Sequence, residues 1–405
     1  MDGVPESWSF YTGQVSHEQY TKQLDGFTAS RYDPRAWADL FARAGARYAV
    51  LAARHHDGVA LWDSAHGDLN VVRRTPAERD LIAGYADALR ERGLRVGLYY
   101  SHSDWNHPDY ASTRHPAPAP APAPDEDPPN PLAHARPGEE DPAAWARFLA
   151  YRDGQVGELV DRFRPDLLWF DGEWERTEEQ WGLHALAARI LAGHPETVLN
   201  ARMLSHGDYA TPEQGVPLQA PDGPWELCLT VNDSWGFQHR DHNHKSVRRL
   251  VRYFTETIGA GGNLLLDVGP REDGTITAEQ AERLTGLGAW IGRHAEAVYV
   301  TVAGLPPGHH YGPSALSADR RALYLFCFDP PRETVSVRGL RNRVRRVSVL
   351  GTGAELGHRV TGGLHEVPGV TWLDAPAAGD ADEYATVLAV ELDGELDLYR
   401  GTGRS

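Results

Sequence analysis

Hydrophobic and polar positions fall into two regimes along the chain. From about residue 33 to 297, apolar residues at helical spacing alternate with short, unbroken apolar runs. Asp33-Pro34 supplies an N-cap and a first-turn proline, and Trp37, Leu40, Phe41 and Ala44 then share one face up to Gly45. Tyr48–Leu51 reads as a strand running into Arg54-His55-His56-Asp57-Gly58. Thr75-Pro76 opens a predicted helix carrying Leu81, Ile82, Tyr85 and Leu89, and the strand Val96–Tyr100 follows, ending at Ser101. A helix over about 143–163 leads to a strand ending at Asp171. A helix near 178–192 precedes the strand Thr197–Leu199, which stops at Asn200-Ala201-Arg202. Leu227–Val231 and Asn263–Val268 complete six strands, with helices at about 245–258 and 277–293.

The strand before Asp171 carries the strongest signal. Leu167, Leu168, Trp169 and Phe170 form the apolar run of a strand covered on both faces, and Asp171-Gly172 follows where it stops. Six parallel strands with helical crossovers predict a closed barrel or a doubly wound sheet. No GxGxxG signature is present, and Gly259–Gly262 precedes a strand rather than a helix, so the α/β barrel is preferred. In a barrel the strand tips gather at one end, where the chemistry sits. Residues 113–142 interrupt the pattern with an Ala-Pro alternation and an acidic, proline-rich stretch, expected to form an extended inserted loop. Past residue 300 the pattern turns to short alternating strands (323–328, 334–337, 346–350 and 386–392) separated by Gly, Pro and Asp turns. These predict a β-sandwich. The expected division is 1–297 for the barrel and 298–405 for the sandwich.

Composition narrows the partners. The 405 residues hold 40 Lys plus Arg against 57 Asp plus Glu, a formal charge of −17, which argues against nucleic acid or an anionic membrane as partner. Twelve tryptophans suit the stacking faces of a sugar site. Cys228 and Cys327 lie in apolar runs and read as buried thiols. No apolar stretch reaches the ~20 residues needed to span a bilayer. MDGVPESWSFYTG lacks the regions of a secretory signal, so the chain as written predicts a cytoplasmic protein.

Four strand tips carry candidate chemistry: His55-His56-Asp57, Tyr99-Tyr100-Ser101, Asp171 and Arg202. Together they would make a polar pocket for a polyhydroxylated ligand, and paired carboxyls are the equipment of glycoside hydrolysis. The motifs RHHDGVALWDS (54–64), TPAERDL (75–81), GLYYSHSDW (97–105), LLWFDGEWE (167–175), NDSWGF (232–237) and GGNLLLDVGPREDGTI (261–276) resemble those of α-L-fucosidases of glycoside hydrolase family 29. The resemblance runs from Trp8 through the C-terminal strands. It implies an irregular (β/α)8-like TIM barrel followed by a β-sandwich, with cofactor-free, retaining hydrolysis of terminal α-linked L-fucose from a glycan or glycoside. It places the nucleophile at Asp171 and sugar-binding groups at His55, His56, Tyr100 and Arg202. Trp62 and Trp235 would contact the apolar faces of the sugar, and Glu173 would position a hydroxyl or water. The proton donor is Glu213, on a loop between two strands, or its rival Glu226, which opens the next strand; retention needs the two carboxyls ~5–5.5 Å apart. His239, His242 and His244 follow no metal-ligand spacing and are expected in a solvated loop, and Asp267 at the last strand tip in a structural hydrogen bond.

Members of that family begin with a strand ending in a His-Trp-Gly motif, and nothing of that kind precedes Trp8 here. The expectation is a barrel without its first strand, leaving unpaired edges on both neighbours. A start codon further upstream would supply the strand and would also allow a secreted or periplasmic location. Two other functions compete with hydrolysis of fucosides: fucose binding without turnover, and retaining hydrolysis of another sugar such as a β-D-galactoside. A homo-oligomer is compatible with all of these.

Overall fold

The computed structural model describes residues 7–11, 14–110, 141–329 and 331–401. The inserted Ala-Pro segment therefore lies outside the described residues, apart from Asp141 and Pro142, which open the helix Pro142–Phe163 as N-cap and first residue.

Six parallel strands form the barrel wall in two arcs. The first holds β1 (Tyr48–Arg54), β2 (Arg95–Ser101), β3 (Leu167–Asp171) and β4 (Val198–Leu199) in that order, and the second pairs β5 (Glu226–Thr230) with β6 (Asn263–Asp267). The helices Pro34–Arg43, Ile82–Glu91, Pro142–Phe163, Leu183–Gly193, Val247–Gly259 and Ala278–Arg293 alternate with these strands. One helix starts later than its sequence predicts. Thr75-Pro76 lies in a turn, and the helix begins at Ile82, where Asp80 accepts from the Ile82 and Ala83 amides. The cap therefore lies five residues beyond Thr75. The predicted helix at 178–192 breaks at Gly182, whose φ of +64° ends one short helix and starts the next.

An irregular run joins the arcs on one side. Isolated bridges tie Asn200 to Tyr209, Ala210 to Trp225 and Glu213 to Cys228, with Gln214 N donating to Cys228 O at 2.9 Å. On the other side, β1 and β6 are terminal strands, and among the described residues no strand lies between them. Backbone direction shows which groups face this gap. Arg95 N donates to Arg47 O and Asn263 N donates to Trp225 O, so the peptides of Arg47 and Asn263 point into their sheets. By strand alternation those of Tyr48, Val50, Leu264 and Leu266 point outward. A cavity of about 730 Å³ fills the opening, lined by 48–52, by 263–268 and by Phe41, Phe254 and Leu284 of the outer helices.

The C-terminal part is an antiparallel sandwich. Its five-stranded sheet runs β11 (Val344–Val349), β14 (Thr386–Leu392), β9 (Ala322–Cys327), β8 (Ser314–Ser317), β7 (Thr301–Ala303), and its three-stranded sheet runs β10 (Thr334–Val337), β13 (Val370–Asp374), β12 (His358–Thr361). One apolar cluster joins sandwich to barrel: Ile258, Leu287, Trp290 and Ile291 pack with Tyr324, Phe326 and Val387, and Trp290 Nε1 donates to Ala385 O at 3.0 Å. Cys228 and Cys327 are buried free thiols on β5 and β9.

Candidate active site

Asp171 is the last residue of β3, held at its backbone from both sides. Its carbonyl accepts from His102 N at 2.7 Å, and one residue earlier Asn200 closes a two-way bond with Phe170, donating Nδ2 to its carbonyl and accepting from its amide, each at 2.9 Å. Asn200 thus continues sideways the ladder that the two-residue β4 cannot. Gly172 turns the chain away at φ +80°; a Cβ there would stand 2.6 Å from Ser103 Oγ.

The Asp171 carboxylate faces three groups. Tyr99 donates its hydroxyl to Oδ2 at 2.8 Å, His56 Nε2 stands 3.6 Å from the same oxygen, and Arg202 lies 3.8 Å from Oδ1. His55 packs against His56 and stacks on the Tyr99 ring. Burial, then the Asp171 charge, push the Tyr99 phenol far above its ordinary range, so it remains a donor. The His56 tautomer follows from its neighbour. Ser101 gives its only hydrogen to Ser103 O at 2.7 Å, so at 2.6 Å from His56 Nδ1 it accepts, and His56 carries Nδ1–H.

Arg202 links three carboxylates. Beyond Asp171, it donates to Glu173 Oε1 at 3.2 Å and to Glu213 Oε1 at 2.5 Å. Loss of solvation, the largest cause, and the neighbouring acids raise the Glu213 carboxyl above its usual range against the pull of Arg202; Glu173 is raised in the same way. The cavity lining holds His55, His56, Asp171, Arg202, Glu213 and Trp235 together, as the sequence predicted, with Asp267 further along it.

Glu173 does not line the cavity and meets the site through Arg202, and three further predicted residues sit elsewhere. Tyr100 is fully buried on the opposite face of β2, donating to Gln155 Oε1 at 2.9 Å under the Arg54 guanidinium. Alternation makes Tyr99 the site residue and Tyr100 a core residue. Trp62 is fully buried, and its Nε1 donates to Glu158 Oε2 at 2.9 Å, so it offers no face to a ligand. Glu226 opens β5, at the strand end opposite to the Asp171 tip, buried and hydrogen-bonded by the Tyr48 hydroxyl and by Trp169 Nε1. Burial pushes its carboxyl up to about 7, yet the group is walled off from the cavity that holds Asp171. Glu213, by contrast, lies in the strand-like run along β5 rather than in a free loop.

Sequence reasoning missed two aromatic groups. Trp174 lines the cavity, and its buried indole N–H has no hydrogen-bond partner among the described residues, as suits a donor awaiting a ligand hydroxyl. Trp8 stacks on Trp174 and meets His56 edge-on. The GEWE motif carried the signal for Trp174, two residues past Gly172. His239, His242 and His244 lie in the polar loop before the helix Val247–Gly259.

The alpha-L-fucosidase family model matches residues 7–296. Tissue alpha-L-fucosidase of Rattus norvegicus is 33% identical over 289 residues, covering 68% of this chain and 57% of that protein. The Homo sapiens tissue enzyme is 32% identical over 289 residues, covering 68% and 56%. Alpha-L-fucosidase isoenzyme 1 from Paenibacillus thiaminolyticus superposes with a TM-score of 0.83 at 31% identity, covering 96% of this chain and 93% of that one. A Thermotoga maritima alpha-fucosidase in complex with fucose gives 0.74 at 30% identity, covering 95% and 85%. The chain spans little more than half the length of the curated relatives it matches. With the family model over most of its length, this chain belongs to the alpha-L-fucosidase family.

Proposed function

We propose that the protein is an exo-acting, retaining α-L-fucosidase that removes terminal α-linked L-fucose from glycans or glycosides. The observation that carries this reading is Asp171 at the tip of β3, aligned by the Tyr99 hydroxyl and linked through Arg202 to a second carboxyl, Glu213. Asp171 attacks the anomeric carbon and forms a fucosyl ester, while Glu213 protonates the departing oxygen. The raised Glu213 carboxyl supports a proton donor, and Tyr99 and Arg202 hold the nucleophile in place. Glu213 then takes a proton from the water that cleaves the ester. His55, His56 and the Trp174 indole bind sugar hydroxyls, and Trp235 covers an apolar face. No step calls for a metal or cofactor.

The test is hydrolysis of an aryl α-L-fucoside by the chain and by Asp171→Ala, with fucose binding measured on both. Turnover abolished in the variant supports the proposal. Fucose binding without turnover in the parent chain points to a binding protein, and turnover of an aryl β-D-galactoside alone points to another glycosidase.

A further inference from the structure

His55, His56 and Asp171 place one ligand atom each within 4.8 Å of one another, with His56 Nε2 and Asp171 Oδ2 already 3.6 Å apart. A tetrahedral zinc ion with ligand bonds near 2.0–2.1 Å separates its ligands by about 3.3 Å, so small side-chain rotations close the set. The imidazoles are oriented as metal-binding histidines are. His56 gives its Nδ1–H to Ser101 Oγ, which leaves a lone pair on the Nε2 that faces the carboxylate, and His55 Nδ1 lies 2.9 Å from Ser7 Oγ. Two imidazoles and one carboxylate on an accessible cavity wall leave coordination positions open to water. The charge nearby suits a cation, because Glu173 and Glu213 are paired with the single guanidinium of Arg202.

We propose that this triad binds a divalent transition-metal ion of the zinc type, and that the ion acts as an inhibitor rather than a cofactor. Bound metal takes the carboxylate that a substrate must meet and occupies the space between the histidines, so metal and sugar exclude each other. Metal binding itself follows from the donor set; its effect on turnover rests on the fucosidase reading.

The experiment is calorimetric titration of the metal-free chain with Zn²⁺, repeated with Co²⁺ by visible absorption. His55→Asn and Asp171→Asn are the test variants, and the exposed-loop triple variant His239→Ala, His242→Ala, His244→Ala is the control. The proposal expects one saturable site, weakened at least tenfold in His55→Asn and Asp171→Asn and unchanged in the loop variant. Melting curves establish that each variant is folded, and the Co²⁺ spectrum, which reads the donor set directly, should show four- or five-coordinate bands. Absence of saturable binding, or binding lost only in the loop variant, would overturn it. L-Fucose should displace the ion. Displacement failing while both site variants still abolish binding would leave the metal site standing and remove the sugar reading instead.

Discussion

Tyr99 and Tyr100 are adjacent, chemically identical and on opposite faces of β2, so the role proposed at the site and the role in packing fall to neighbours in one strand. Tyr99→Phe removes a hydrogen bond to a charged carboxylate, an interaction worth about 1.5–3 kcal/mol. We expect kcat/KM for an aryl α-L-fucoside to fall roughly 10- to 100-fold with the melting temperature little changed. Tyr100→Phe removes one of the two donors to Gln155 Oε1 in the core and leaves the other, Arg54 Nη1 at 3.3 Å. It should cost about 1 kcal/mol of stability and leave kcat/KM within about twofold. The two glutamates divide in the same way. Glu213→Gln should lower hydrolysis of substrates with poor leaving groups by roughly 10²–10⁴. Glu226 affects stability instead. Its folded carboxyl titrates near 7 against an ordinary 4.5, so between those values the folded state holds a proton that the unfolded chain has lost. Its contribution is therefore fully present below about pH 4.5 and declines by about 1.4 kcal/mol per pH unit until near pH 7. Denaturant melts from pH 4.5 to 8 should show that slope in the parent chain and a flatter one in Glu226→Gln.

Strands β1 and β6 differ from β2 in having only one neighbour each, and their outward peptides border an apolar cavity. Amide hydrogens of Val50 and Leu266 should exchange faster than that of Leu98 in β2, whose strand is paired on both sides. Equal protection, measured by hydrogen exchange with residue resolution, would mean that the edges are covered in solution. The same strands explain what the sequence makes legible. All six announce themselves as apolar runs because helices cover them, and Asp171 stands out as the acid where such a run stops. Face assignment is another matter. In a strand buried on both sides polarity does not alternate, so nothing local distinguishes Tyr99 from Tyr100. The structure decides through Arg54, whose fully buried guanidinium is taken up on the outer face of the sheet by Asp104, Tyr151 and Gln155. Trp62 escapes sequence reasoning for a similar reason, since its partner Glu158 lies 96 residues away. In the sandwich, β12 is missed because all four of its residues are exposed.

Barrel and sandwich share the helices that line the open side. Ile258, Leu287 and Ile291 border the cavity between β1 and β6 and also belong to the cluster that packs on the sandwich strands. The sandwich therefore braces the outer wall of the cavity that ends at Asp171. The retaining hydrolysis proposed for that cavity rests on Asp171 forming a covalent bond to the sugar. The most direct test is to incubate the chain with a 2-fluoro-fucosyl fluoride, which slows release of a fucosyl ester, and to locate the adduct by peptide mass mapping. A single fluorofucosyl group on Asp171, absent in Asp171→Ala, is the predicted result. An adduct on Glu173 or Glu213, or turnover of an aryl fucoside that releases fucose with inverted anomeric configuration and no adduct, would contradict it.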